Sequence, residues 1–410
     1  MFDNAKIRMD FPMLVNNPDL VYLDSGATSL KPQCVIDTLL RFYTHTTSNV
    51  HRGDYPISIK VSQDYDNVRK TVAHFINAKS GKEIVFTSGA TQALNWIAWG
   101  YGKQHLSNDD VILTTYMEHA SNILPWFNVA KETGAKIKYI PVDDQGRVDF
   151  DAYVELLKNN SVKVVVIAGM SNILGYIQPL GKLSALAHQY GAIIVVDGAQ
   201  SVPHCKTDVC VDDIDFLAFS GHKCLASSGV GVLYGKKALL DSMDPLLYGG
   251  GSNARFNADG EILLMETPEK FEAGTPNIEG VLSLGSAINY IESIGMENIE
   301  AYEHELKRYA IKQFEALDSV TVYNKESHSG LISFNVNGIF AQDVATYLST
   351  LGIAVRTGNH CAKIIDHVIG TNESIRASMY FYTSKADIDA LVNALKDVTL
   401  EKCIDAAFMR

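Results

Sequence analysis

Short apolar runs alternate with segments of helical spacing between about residues 83 and 234. The runs are rich in Val and Ile, and they read EIVFT, DVILTT, KIKYIPV, VKVVVIAG, AIIVVDG, DFLAFSG and GVGVLYG. Several are continuously apolar, as is typical of strands that helices cover on both faces. Segments between the earlier runs, such as TQALNWIAWGYG and PLGKLSALAHQYG, have helical spacing and end near a glycine. The alternation predicts an α/β fold in which helices sandwich a mostly parallel, seven-stranded sheet.

The pattern changes beyond about residue 277. Two long helical patterns precede the short strand-like segments SGLISFNV, GIAVRTG and SIRASMYF and a final helix. This mixture predicts a smaller α+β domain, and a chain of 410 residues is longer than one hydrophobic core usually serves. We expect a large domain over residues 20–265 and a smaller domain made of residues 1–19 together with 266–410.

Composition narrows the range of partners. A formal net charge of −12, without a Lys/Arg cluster, argues against a nucleic-acid surface. The longest apolar runs are far shorter than a membrane span, and MFDNAKIRMDF lacks the apolar stretch of a signal peptide. The 6 cysteines have neither C-x-x-C pairs nor metal-ligand spacing. We therefore expect reduced thiols, no bound metal, no membrane contact and a cytoplasmic location.

Polar residues follow the predicted strands at their carboxyl ends, where open α/β sheets bind ligands. They are SGATQ after EIVFT, His119 after DVILTT, Asn172 after VKVVVIAG, Asp197 and Gln200 after AIIVV, and Ser220, His222 and Lys223 after DFLAF. Most loop residues of these types serve turns and caps, and SGAT alone favours an ordinary helix N-cap over a phosphate site.

Asp197 and Lys223 are harder to explain as structural residues. A carboxylate at the end of a buried strand needs a cationic partner or a ligand, because burying it alone is costly. A lysine in such surroundings has a lowered pKa and becomes a competent amine nucleophile. Pyridoxal phosphate requires a lysine for its Schiff base, an acid opposite the pyridine nitrogen and a cradle for its phosphate. The set therefore predicts pyridoxal 5′-phosphate as cofactor.

Over nearly its whole length the chain resembles the fold-type I pyridoxal-phosphate enzymes. It is similar to their class V aminotransferase branch and, within it, to the SufS/CsdA-type (group II) cysteine desulfurases. The motifs that carry the resemblance are YLDSGATSLKP, NVHRGDYPIS, FTSGATQALN, MEHASNILPW, SNILGYIQPL, VDGAQSVPH, FLAFSGHK, FEAGTPNI and RTGNHCA. SGHK following DGAQSVPH is the most specific of these signals.

The resemblance implies a role for each matching residue. Lys223 would form the Schiff base and shuttle protons, Asp197 would pair with the pyridine nitrogen, and Gln200 would bind the ring hydroxyl. His119 would stack on the ring and belong to the catalytic residues. The phosphate would be held by Ala90, Thr91, Ser220 and His222, with Thr275 reaching the phosphate of the neighbouring subunit. The last assignment implies a homodimer with shared sites.

The same resemblance assigns the substrate residues. Asn172 and Arg376 would hold the carboxylate of L-cysteine, and Arg356 and His51 would line the pocket. Cys361 would take the substrate sulfur as a persulfide, with Arg356 and His360 helping to lower its pKa. The ordinary alternative for Arg376 is a surface salt bridge, although a guanidinium is the natural anchor for a carboxylate.

The implied activity is conversion of L-cysteine to L-alanine. The persulfide sulfur would pass to a SufE-like or SufU-like acceptor for assembly of iron–sulfur clusters or related cofactors. A selenocysteine lyase is the nearest alternative, a transaminase would leave the cysteine loop idle, and a scaffold without activity would have lost Lys223 or Asp197. Departures from the family pattern are Ala120 directly after His119, HKCLASSG at the lysine turn, Asn359 and the AKIID segment at the cysteine loop, and YTS at residues 382–384.

Overall fold

The computed structural model describes residues 2–408. The strands are β1 (Val21–Tyr22), β2 (Ile84–Thr87), β3 (Val111–Thr114), β4 (Lys136–Tyr139), β5 (Val162–Ala168), β6 (Ile193–Asp197), β7 (Phe216–Ser220), β8 (Gly231–Gly235), β9 (Asn253–Phe256), β10 (Ile262–Leu264), β11 (Val320–Val322), β12 (Leu331–Val336), β13 (Ile353–Ala354), β14 (Arg356–Gly358) and β15 (Ser374–Ser378).

Helices connect these strands and cover the sheets. They are α1 (Asn4–Met9), α2 (Pro12–Asn16), α3 (Gln33–Arg41), α4 (Pro56–Phe75), α5 (Ala90–Ile97), α6 (Lys103–His105), α7 (Ala120–Thr133), α8 (Phe150–Lys158), α9 (Leu180–Gln189), α10 (Lys237–Ser242), α11 (Ile278–Ile294), α12 (Met296–Phe314), α13 (Ala341–Thr350), α14 (Asp366–Ile369), α15 (Lys385–Asp397) and α16 (Leu400–Phe408).

Seven strands form the central sheet in the order β2-β8-β7-β6-β5-β3-β4. β3, β4, β5, β6 and β7 pair in parallel, and β8 runs antiparallel to both β2 and β7. All seven predicted runs are strands of this sheet, so the predicted α/β class with a mostly parallel sheet is confirmed. Only residues 136–139 of the run KIKYIPV are in β4, an edge strand that is partly exposed.

Both faces of the sheet are buried. Along β5, Val165 and Ile167 join the apolar cluster that contains α4 and α11, whereas Val164 and Val166 join the cluster that contains α5 and α7. Successive side chains of a strand point to opposite faces, so a continuous apolar run is what a doubly covered strand requires. The carboxyl ends of β3, β5, β6 and β7 consequently lie at one edge, between the two helical layers.

The carboxyl-terminal part contains an antiparallel four-stranded sheet in the order β11-β12-β15-β14. Its apolar cluster includes residues of α12, α13, α15 and α16. The amino-terminal segment contacts this part of the chain: Asn4 donates a hydrogen bond to the carbonyl of Phe381, and Arg8 forms an ion pair of 2.7 Å with Asp387.

Helix α11 lies beyond the predicted boundary at residue 265, yet Val281, Leu284 and Ile288 belong to the main cluster of the central sheet. The division into residues 20–265 and residues 1–19 with 266–410 stays a prediction. Within residues 2–408, no helix is both long enough and apolar enough to span a membrane.

Candidate active site

A cavity of about 180 Å³ opens at the carboxyl edge of the central sheet. Residues from β5, β6 and β7, from the loops that follow them and from the carboxyl-terminal sheet line it. The predicted site residues among them are Ala90, Thr91, His119, Asn172, Asp197, Gln200, Ser220, His222, Lys223, Arg356, Cys361 and Arg376. The fold thus brings together side chains that are far apart in sequence.

Two predicted site residues lie outside this cavity. Thr275 accepts a hydrogen bond from Nδ2 of Asn49 at 3.3 Å, and Nε2 of His51 lies 3.4 Å from Asp66. Thr275 is expected to act in the site of a neighbouring subunit, so its position here is compatible with that role. The expected place of His51 in the pocket is not seen within the single chain. The roles of both residues stay predictions.

Lys223 ends a short 3₁₀ turn, Gly221–Lys223, directly after β7. Burial lowers the pKa of Lys223 to about 8, Asp197 opposes part of this shift, and Arg376 and Arg356 add to it. The lowered pKa agrees with the prediction for a lysine desolvated at this place. At pH 7 about a tenth of an amine with this pKa is unprotonated, far more than for an ordinary lysine, and this is the form that reacts with a carbonyl group.

The backbone before Lys223 is held by a segment that the sequence argument did not single out. The carbonyl oxygen of His222 accepts hydrogen bonds from the Ser29 amide, from the hydroxyls of Thr28 and Ser29, and from Nζ of Lys31 at 3.0 Å. Burial lowers the pKa of Lys31 to about 8. The four donors fix the turn that presents Lys223 to the cavity.

Asp197 is the last residue of β6 and is buried. Its Oδ1 accepts a hydrogen bond of 2.9 Å from the amide of Ala199, which orients the carboxylate. Gln200 donates from Nε2 to the carbonyl of Gly26 at 2.8 Å, while its Oε1 is buried without a partner in the described structure. Buried polar atoms in proteins are normally hydrogen-bonded, so an orphan oxygen facing a cavity indicates a ligand.

The amino-terminal end of α5 forms another wall. Ser220 Oγ accepts a hydrogen bond of 2.8 Å from the amide of Ala90, and the hydroxyls of Thr91 and Ser121 lie 2.8 Å apart. The close approach of the start of α5 to the start of β8 depends on glycine, because a Cβ atom on Gly231 would lie 2.4 Å from the Cα atom of Gly89. Because these residues are small, the amino-terminal end of α5, which favours anions, packs closely against the ends of β7 and β8.

His119 is the N-cap residue of α7 and lines the cavity. Its Nδ1 accepts a hydrogen bond of 3.2 Å from the amide of Ser121. Burial lowers the pKa of His119, although Asp197 opposes the shift. The ring is therefore neutral near pH 7, and because Nδ1 accepts, the proton resides on Nε2.

The Cys361 loop has an unusual backbone. His360 and Cys361 have φ values of 49° and 62°, which only a few per cent of residues other than glycine adopt. Three hydrogen bonds hold it: the Cys361 amide donates to Asn359 Oδ1 at 3.1 Å, Asn172 donates to the His360 carbonyl at 2.8 Å, and the Ala120 amide donates to the Cys361 carbonyl at 2.7 Å. Asn359 and Ala120, which depart from the family pattern, thus take part in shaping the loop.

The AKIID segment also has a packing role. Ala362 and Ile365 are buried against Met117, Ile173 and Leu174 in a small apolar cluster. This cluster fixes the loop directly after Cys361, and Cys361 itself remains partly exposed at the cavity.

The expectation that His360 acts as a cation beside Cys361 is wrong. Its Nε2 lies 3.1 Å from both the carbonyl and the hydroxyl oxygen of Ser374, and burial lowers the pKa of His360 to about 3. A neutral imidazole does not stabilise a thiolate by its charge. The cations that line the cavity together with Cys361 are Lys223, Arg356 and Arg376.

Arg376, on β15, has 2% of its side chain exposed, which excludes the surface salt bridge. Its Nη1 donates to the carbonyl of Asn172 at 2.9 Å, and its Nη2 lies 3.4 Å from Asp24. Nε is buried without a partner in the described structure. Arg356 is the register partner of Arg376 on β14, so two guanidinium groups share this wall.

The sequence matches the protein family described as Aminotransferase class-V over residues 21–391. The chain belongs to the class-V aminotransferase family. Within this family it is 44% identical to a probable cysteine desulfurase of Halalkalibacterium halodurans over 394 residues, 95% of this chain and 97% of that protein. It is 42% identical to a probable cysteine desulfurase of Synechocystis, over 96% of this chain and 94% of that protein.

Solved structures agree with this placement. The cysteine desulfurase CsdA from Escherichia coli has a TM-score of 0.90 and 36% identity, with 97% of this chain and 98% of that chain covered. A cysteine desulfurase from Thermococcus onnurineus has a TM-score of 0.91 and 38% identity, with 96% and 97% covered. The predicted family, the predicted class of pyridoxal-phosphate-dependent cysteine desulfurases and the predicted cofactor are confirmed.

The cavity fits pyridoxal phosphate by its own chemistry. It offers an amine on Lys223, a buried carboxylate on Asp197, the orphan oxygen of Gln200 and a helix terminus at Ala90. Sequence reasoning missed Lys31, Gly26 and Ser121. Lys31 and Gly26 lie in the motif YLDSGATSLKP, and Ser121 follows His119 by two positions.

Proposed function

We propose that this protein converts L-cysteine to L-alanine and leaves the substrate sulfur on Cys361 as a persulfide. The observation that supports it best is that Lys223, Cys361 and Arg376 line one cavity. A lysine alone is consistent with many class V enzymes, whereas a cysteine on a loop held at the same cavity provides a sulfur acceptor.

The residues would share the binding of the cofactor. Lys223 would hold it through Nζ, Asp197 would face the pyridine nitrogen, Gln200 the ring hydroxyl, and His119 the ring face. Ala90, Thr91, Ser220 and His222 would bind the phosphate. When bound, pyridoxal phosphate supplies an electron sink for the pair left at the substrate carbon.

Arg376 is placed to bind the substrate carboxylate. A guanidinium has five N–H donors, and two of those on Arg376 have an acceptor within residues 2–408. Asn172 uses its Nδ2 to donate a hydrogen bond to the Cys361 loop. It would therefore act by holding that loop, and only its Oδ1 would be left for the substrate. Arg356 would add positive charge to the same wall.

Proton and sulfur transfer would be divided between two residues. Lys223 Nζ would take the Cα proton and return a proton to Cβ, which its lowered pKa favours near neutral pH. Cys361 Sγ would form a bond to the substrate sulfur while the carbon–sulfur bond breaks. The thiolate is the form of Cys361 that this step needs.

The quaternary and cellular parts of the proposal go further. We infer a homodimer in which Thr275 reaches the cofactor phosphate in the site of the partner subunit. We also infer an acceptor protein of the SufE-like or SufU-like kind that takes the sulfur for iron–sulfur or related assembly. A reducing, cytoplasmic compartment suits the 6 free cysteines of the chain.

Incubation of the protein with L-cysteine and a reductant, followed by assay of alanine and sulfide, tests the proposal. Cys361→Ser should keep the cofactor colour and lose sulfide release, and Cys34→Ser serves as a matched control on a partly exposed thiol elsewhere. Rapid turnover of selenocysteine, with no alanine formed from cysteine, would instead identify a selenocysteine lyase.

A further inference from the structure

A second concave site lies on the carboxyl-terminal part of the chain, between α12 and the loop of residues 323–328. It has a volume of about 570 Å³. The basic residues that line it are His304, Lys307, Arg308, Lys312, Lys325 and His328. In a chain with a net charge of −12, such a concentration of positive charge is unexpected.

The positive charges of this groove are poorly neutralised. Within residues 2–408, Arg308, Lys312 and Lys325 take part in no ion pair. Two carboxylates line the groove, and Glu326 is already paired with Arg147. Glu315 is therefore the one carboxylate left to oppose the cations.

Lys307 makes the case for a ligand stronger than surface charge alone. It is 2% exposed, and its Nζ donates to the carbonyl of Leu331 as its one hydrogen-bond acceptor within the described structure. Glu303, one helical turn earlier, is committed to His204 at 2.9 Å. An ammonium buried without a carboxylate is costly unless an anion pairs with it, and burial lowers the pKa of Lys307 to about 7.

We propose that this groove binds a small ligand with a polyphosphate group, either inorganic or part of a nucleotide. Arg308, Lys312 and Lys325, together with Lys307 in its protonated form, exceed what one carboxylate can neutralise and match the charge of a di- or triphosphate. Lys307 is buried at the groove, which favours a small ligand that can enter the groove over a protein partner. Carboxylates on the surface of a partner protein would meet the exposed side chains of Arg308 and Lys312 first. The aromatic rings of His304 and His328, whose centroids lie 4.9 Å apart, line the same groove.

Calorimetric titration of the holoenzyme tests this proposal, because bound cofactor occupies the phosphate site of the active centre. The probes are pyrophosphate, ATP and adenosine, with a polyglutamate peptide as a fourth arm. We expect saturable binding of pyrophosphate or ATP and none of adenosine. ATP binding without pyrophosphate binding would identify the nucleotide as the source of the phosphates.

Two sets of variants locate the site. Arg308→Gln combined with Lys312→Gln should weaken binding at least tenfold, whereas Lys131→Gln with Lys136→Gln makes the same change in charge on exposed residues elsewhere and should leave it unchanged. Lys307→Met should weaken binding as well and keep the melting temperature at or above that of the wild type. Desulfurase activity should be the same in all of them.

The proposal is overturned if neither pyrophosphate nor ATP binds at millimolar concentration, or if both double variants bind equally well. It is also overturned if adenosine binds as tightly as ATP, or if the polyglutamate peptide alone binds in a manner that depends on Arg308 and Lys312. The last result would assign the groove to an acidic protein partner.

Discussion

Replacement of Arg376 by glutamine tests how the site anchors its substrate. Arg376 lines the cavity with 2% of its side chain exposed, and its Nε has no partner in the described structure. A carboxylate that accepts two charge-assisted hydrogen bonds gains about 1.5 kcal/mol from each, or about 3 kcal/mol together. At about 1.4 kcal/mol for each factor of ten, Arg376→Gln should lower kcat/KM for L-cysteine about a hundredfold.

The cost to folding should be smaller. Burial lowers the pKa of Arg376 to about 10, because the guanidinium is desolvated with one long contact to Asp24. Replacing a poorly paired buried cation by a neutral amide removes this desolvation penalty together with the contact. The melting temperature of Arg376→Gln should therefore lie close to that of the wild type.

Steady-state assay of alanine over a range of cysteine concentrations separates KM from kcat, and differential scanning calorimetry gives the melting temperature. Arg8→Gln is the matched control, because Arg8 forms an Arg–Asp pair of 2.7 Å with Asp387 away from the cavity. It should leave KM unchanged and lower only the melting temperature. A kcat/KM within threefold of wild type for a folded Arg376→Gln protein would refute the anchoring role.

Three further changes follow from the geometry. Burial lowers the pKa of Lys307 from 10.5 to about 7, so between these pH values the folded state binds fewer protons than the unfolded state. The free energy of unfolding of the wild type should therefore rise relative to that of Lys307→Met from pH 7 towards pH 10, as measured by denaturant titration. Lys31→Met removes one donor from the carbonyl of His222 and should slow borohydride trapping of the cofactor on Lys223, while Lys6→Met should not. Asn359→Ala removes an acceptor for the Cys361 amide and should slow persulfide formation severalfold in single-turnover assays, with Asn359→Asp restoring it; equal rates for the two variants would contradict this role.

The strand positions in the central sheet could be predicted because strands that helices cover on both faces appear in the sequence as continuous runs rich in Val and Ile. The antiparallel direction of β8 was also within reach: about ten residues join Ser220 to Gly231, fewer than a parallel crossover requires. The end of β4 at Tyr139 was not predictable from KIKYIPV, because Ile140 is buried outside the strand and an apolar pattern does not separate the two states.

The candidate site was predictable where a residue type carries its own chemistry. Asp197 ends one buried strand and Lys223 follows another by three positions, and a carboxylate and an amine at such places indicate a ligand. His360 shows the limit of that reasoning. Adjacent to Cys361 in sequence, it directs its ring to Ser374, because the left-handed backbone at residues 360 and 361 turns the chain. Proximity in sequence therefore gave the wrong cation, whereas Arg356 and Arg376 reach the cavity from β14 and β15.

Lys31 shows the opposite case. It is 191 positions from His222, and no local pattern links the two residues. Such a contact depends on how the amino-terminal segment crosses the central sheet, which only the tertiary structure gives.

The central claim is that Cys361 carries the sulfur. Mass spectrometry of the intact holoenzyme after a brief exposure to L-cysteine, followed by peptide mapping without reductant, measures this directly. We predict that the peptide containing Cys361 gains one sulfur atom and that one equivalent of alanine is released, with Cys34, Cys205 and Cys224 unmodified. Alanine release with the added sulfur on any other cysteine, or on none, would contradict the claim.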